Sequence, residues 1–168
     1  MKWKNWLENW DMTSLKINLK FMQMEWQPSD PDKSAAWEMY IELLTRISTQ
    51  PLMVQTGDEQ AALDSIYSLF PITREIIRRH GRDCGEFTKL AVVMLNQIMR
   101  PFTARWHKLA LEGALQDEQQ CQKFRNDLSA LQTQLKKYTG MLADMAGVED
   151  LSELEKVDNY PVVAATSA

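Results

Sequence analysis

From Asp117 onward the chain sets Cys121, Phe124, Leu128, Leu131, Leu135, Tyr138, Leu142 and Met145 at alternating steps of three and four residues. That is the period of a helix with one narrow apolar seam, suited to packing on a neighbour at a shallow crossing angle. Asp117 is a good N-cap for it. A helix of this length with its seam in water is unstable alone, so it demands partners of comparable length.

The rest of the chain supplies them. A helix beginning near Asp58 carries Leu63, Ile66, Tyr67 and Phe70, meets Pro71, which interrupts or kinks it, and ends at Gly81. Basic residues fill its last turn, where the helix dipole favours them. Asp83 with Glu86 three residues on reads as a capping box. It opens a stripe of Phe87, Leu90, Ala91, Met94, Ile98, Phe102, Trp106 and Leu109 that continues across Pro101, which predicts one kinked helix rather than two. Another helix starts with Asp30 as cap and Pro31 at the first helical position. Its apolar face is read as Trp37, Tyr40, Ile41, Leu44 and Ile47.

These patterns, with only six prolines and six glycines in 168 residues, predict an all-α fold. The expectation is a kinked antiparallel helical bundle of three to four long helices with a small Trp-rich N-terminal element. The division expected is 1–27 for that element, 28–156 for the bundle and 157–168 for a flexible tail.

The N-terminal element has two parts. Trp3, Trp6, Leu7 and Trp10 share one helical face, either closing one end of the core or docking a partner. An interfacial membrane anchor gains from a cationic face, whereas here Glu8 and Asp11 offset Lys2 and Lys4. Over residues 14–26, Leu15, Ile17, Leu19 and Phe21 alternate like a strand, while Leu15, Leu19, Met22 and Trp26 fit a helical stripe. A lone strand needs a partner, so the reading leans to helix.

Charge is unevenly spread. The chain carries −4 overall, yet residues 71–110 hold eight basic residues against Glu75, Asp83 and Glu86. This basic middle suits phosphate, an acidic partner or the protein's own acidic part. Within it Arg74, Arg78, Arg79 and Arg82 form a basic ridge, with no glycine-rich phosphate loop beside it. Two distant cysteines and two histidines make no zinc pattern, so no metal and no cofactor is expected, and the thiols are expected to be free. No 18-residue apolar run and no signal-peptide pattern occur, which points to a cytoplasmic protein without a transmembrane segment.

Candidate chemistry rests on two arginine–histidine pairs: Arg100 with His107, six residues between them, and Arg74 with His80, five between them. Histidine moves protons near neutral pH, and arginine stabilises charge on a phosphate. In a helical bundle this spacing resembles the Arg-x(4–6)-His motif of the HEPN nucleases. The resemblance implies a metal-independent RNA-cleaving effector with its motif paired across a dimer. That family usually has a small polar residue directly after the arginine; here the position holds Pro101 or Glu75. No Glu-x-x-His pair marks a di-iron site, and ten methionines suit adaptable packing.

The favoured expectation is therefore a non-catalytic protein–protein interaction or assembly subunit, part of an oligomer or larger complex. Its interface is placed on Trp3, Trp6 and Trp10, since tryptophan and arginine are enriched at interface hot spots. The alternatives are the RNA-cleaving effector and a nucleic-acid-binding module using the 71–110 region.

Overall fold

The computed structural model describes residues 1–46, 50–53 and 57–155. Its elements are α1 (Trp3–Asn9), α2 (Leu19–Met22), α3 (Asp30–Leu44), α4 (Glu59–His80), α5 (Gly85–Val93), a π-helical stretch (Met94–Met99), α6 (Arg100–Leu111) and α7 (Glu118–Ala146), with 3₁₀ turns at Gly81–Asp83, Ala114–Gln116 and Ser152–Glu155. Among the described residues there is no strand, and the architecture is an all-α helical bundle. Among the described residues no helix is long and apolar enough to cross a membrane. The expected tail, 157–168, and Ile47 lie outside the described residues.

The 29-residue α7 forms as its seam predicts, with the Asp117 side chain accepting from the Gln120 N–H (2.9 Å) and Gly147 closing it in a left-handed conformation. Toward its C-terminal end α7 is buried almost all round, from Tyr138 through Ala143. It is the pillar of the fold. There α3 lies along one side of it, and α1 caps the end.

The buried face of α3 differs from the expected one. Ala35, Ala36, Met39, Tyr40 and Leu43 face the core, Ile41 and Leu44 sit at its margin, and Trp37 turns outward. The alanines let the α3 backbone approach its neighbours closely, which pushes the large indole to the solvent side. The cap is also one residue earlier than expected: Ser29 accepts from the Asp32 N–H, and Asp32 completes the box by accepting from the Ser29 N–H at 2.8 Å.

Asp32 has a second role that replaces the expected Asp83–Glu86 box. It is 2% exposed, and its Oδ1 accepts from the Phe87 N–H at 2.9 Å. One carboxylate thus satisfies donors at the N-termini of both α3 and α5, where helix dipoles favour a negative charge. Cys84, not Asp83, stands at the α5 cap and makes no side-chain capping bond. The 3₁₀ turn at Gly81–Asp83 leaves Asp83 exposed.

Pro71 is absorbed inside a continuous α4. Pro101 is accommodated differently. The Arg100 N–H reaches back five residues to the Leu95 carbonyl, so the turn before the proline is π-helical, and Pro101 falls in the first turn of α6 where its missing N–H matters little. The extra residue rotates the apolar stripe by one position. Met99 is fully buried and Ile98 only partly, the reverse of what an unbroken α-helix requires.

The wide turn also explains residues 14–26. Only Leu19–Met22 is helical. Around Lys16 the chain is irregular, and its backbone N–H and C=O are both taken by the Gln97 side chain of the π turn, each at 2.8 Å. Further on, Glu25 makes a single antiparallel bridge with Lys2. The lean to helix over the whole segment is corrected: a side-chain amide and the N-terminus of the same chain do the work of a partner strand.

Candidate functional site

Trp3 and Trp6 are fully buried, their rings 5.2 Å apart and edge to face. Trp6 stacks on Trp26 at 4.7 Å, and Phe21 covers Trp3 at 4.7 Å. Each indole N–H has a carboxylate from another helix: Trp3 donates to Glu86 of α5, and Trp6 to Asp144 of α7 at 2.6 Å. Trp10 is partly buried over Gly140 of α7; a Cβ at Gly140 would stand 2.5 Å from the Trp10 ring. The expected interface residues Trp3 and Trp6 are thus inside this chain's own core, and in the folded chain they present no surface to a partner.

Neither arginine–histidine pair converges as a pair. Arg74 and His80 are six residues apart on α4, which places them on different faces. His80 Nε2 lies 2.7 Å from Glu38 Oε1 of α3, not on the last carbonyls of its own helix. Glu38 also holds Arg79, which in addition pairs with Glu75 at 2.9 Å. Arg100 and His107 do share a face of α6, two turns apart. There His107 packs against the Tyr67 ring at 4.7 Å, and Arg100 lies over the Phe70 ring at 5.1 Å while its Nε donates to Asn96 at 3.0 Å. Arg105 pairs with Asp127 of α7 at 3.2 Å. Among the described residues no group of three or more histidine, cysteine or acidic side chains is placed to hold a metal. Cys84 and Cys121 are free thiols, and burial pushes the Cys121 thiol above its ordinary range.

Two surfaces stand out among the described residues. The first is a cleft of about 380 Å³ between α3 and α4. Trp37, Ile41, Ile72 and Ile76 line its floor and wall, and Glu38, Glu42, Glu75 and Arg79 form its rim. Trp37 is 44% exposed, alone among the six tryptophans in that class, and is tilted against Tyr40 at 5.8 Å. The spacing puts Trp37 on the core stripe; the Ala35–Ala36 pair immediately before it is the available signal that the inward face lies elsewhere.

The second is the outer face of α4 and α6. Tyr67, Pro71, Arg74 and Arg78 follow one another on α4 at steps of four, three and four, and all are exposed. The contacts of His107 with Tyr67 and of Arg100 with Phe70 set α6 antiparallel beside them. Of the basic ridge read from the sequence, Arg79 belongs to the α3 side and is neutralised, while Arg74, Arg78 and Arg82 have no ion pair among the described residues.

No protein-family model, curated protein or solved structure matches the chain.

Proposed function

We propose that the chain is a non-catalytic helical interaction module that docks a polypeptide partner in the α3–α4 cleft. The observation that carries this reading is Trp37. A tryptophan left 44% exposed beside Ile41 and Ile72 keeps a large apolar surface in water that the bundle does not need for closure. The rim sets Glu38, Glu42 and Glu75 against Arg79 and against Arg46 on Glu42, a net negative edge, so the partner is a segment with apolar anchors flanked by lysine or arginine, laid in the groove as an amphipathic helix. Trp37 is then the central anchor, as buried indoles are at interface hot spots.

The contacts of the two histidines support the non-catalytic part of the reading. His80 is committed to Glu38 and His107 to the Tyr67 ring, so each has a packing role without a reacting neighbour.

The test is capture of partners from native-host extract by tagged protein, with and without nuclease treatment. The expected result is one stoichiometric protein that survives nuclease treatment and is lost from Trp37→Ala, with melting of that variant unchanged. Equal capture by Trp37→Ala, or no stoichiometric protein at all, overturns the proposal.

A further inference from the structure

We infer that the outer face of α4 and α6 binds a single strand of nucleic acid, its phosphates along Arg100, Arg74 and Arg78 and a base on Tyr67. The observation is independent of the Trp37 cleft. In a chain of net charge −4, three arginines that tie helices or loops together have a carboxylate: Arg125 has Glu59 at 2.6 Å, Arg105 has Asp127, and Arg79 has Glu38. Arg74, Arg78 and Arg100 have none among the described residues, and all three are exposed. Among those residues Arg74 and Arg78 have no partner inside the fold, and Arg100 meets only the Phe70 ring and Asn96, neither of which neutralises its charge.

Geometry gives that charge a direction. Tyr67 to Arg78 spans eleven residues of one helix, about 16 Å at the α-helical rise, with cations on successive turns. Arg100 enters the same face from α6, fixed over Phe70. At one end Tyr67 is 53% exposed while its ring is braced by His107 at 4.7 Å and by Phe70 at 5.9 Å. A row of cations that tracks the backbone, ending in a pre-set aromatic face, is the arrangement that holds single strands without reading sequence. Of the acids beside this segment, Glu75 turns to the other flank and is held by Arg79, and Asp64, one turn before Tyr67, accepts from the Gln60 amide. A duplex offers no unstacked base to Tyr67, so single strands are favoured over double.

The test is fluorescence anisotropy of labelled oligouridylate and oligodeoxythymidylate against the full chain over a range of salt. Three phosphates neutralised predict a slope of log affinity on log salt of about −2. Arg74→Glu with Arg78→Glu should abolish binding at moderate salt without changing the melting temperature. Tyr67→Ala should weaken binding about tenfold and leave the salt slope intact, since stacking releases no counterion. Preference between the two oligonucleotides assigns the strand to RNA or DNA. The inference is overturned if the wild type fails to bind at low salt, if the double arginine variant binds as well, or if polyglutamate binds as tightly as the oligonucleotides. Loss of self-association in that variant, with no oligonucleotide bound by the wild type, likewise overturns it and assigns the face to a second copy.

Discussion

Trp6 and Trp37 carry the same side chain into opposite surroundings. Trp6 has its N–H on Asp144, a second indole stacked on its face and a third at its edge, and no exposed surface. Trp37 has one aromatic neighbour on its own helix and a solvent-facing cleft. In the first region the indole N–H groups of Trp3 and Trp6 each meet a carboxylate from a different helix, so the N-terminal element is bound to α5 and α7 at once. The second is unsaturated, with apolar area that gains by being covered. Charge follows the same division. Arg125 is spent on holding Glu59 and the carbonyls of Leu52 and Met53, while Arg74 and Arg78 hold nothing.

The largest effect that bears on this contrast is loss of Trp6. Trp6→Ala removes a fully buried ring and its bond to Asp144, and should cost about 3–5 kcal/mol in urea unfolding, through the cavity it leaves. A loss below about 1 kcal/mol would break the contrast, because the N-terminal element would then be an appendage rather than core.

Asp32→Ala comes next. It leaves buried donors at two helix N-termini without an acceptor and should cost about 2–3 kcal/mol. Asp32→Asn should recover part of that, since one amide oxygen still accepts. Gly140→Ala follows at about 1–3 kcal/mol, through displacement of the Trp10 ring. Combining it with Trp10→Ala should remove most of the additional penalty, because the clash is then gone.

The smallest effect is one of pH. Lys137 holds the Asp11 carboxyl below its ordinary value, first by a hydrogen bond and then by attraction. A depressed carboxylate stabilises the fold above its unfolded pKa, and that contribution disappears as pH falls through the folded value. Asp11→Asn should therefore lower melting slightly at pH 7 and converge with the wild type below about pH 4. The pair is exposed, so the difference should also shrink in salt.

How much of this was legible in the sequence differs by region for a physical reason. The α7 seam, its Asp117 cap, the start of α4 near Asp58 and the stop at Gly81 depend on local chemistry, and local chemistry is written in the spacing. The bond from Asp32 to Phe87 joins residues 55 apart, and no short-range pattern marks it. The π turn was hidden because an extra residue per turn changes the facing of Ile98 and Met99 without changing their apolar character. Trp37 was misplaced for a related reason: hydrophobicity ranked it as core, while the closeness of the backbones around Ala35 and Ala36 decided otherwise. At the N-terminus the same ranking erred in the opposite sense, since three tryptophans on one short helix suggested a docking face and two of them are core.

The most direct measurement is urea unfolding of Trp37→Ala beside Trp6→Ala under the same conditions. The account predicts a midpoint for Trp37→Ala within about 1 kcal/mol of the wild type, as for other surface truncations, and a loss at least three times larger for Trp6→Ala. Equal losses would contradict it, because Trp37 would then be a core residue and the α3–α4 cleft would hold no side chain free for a partner.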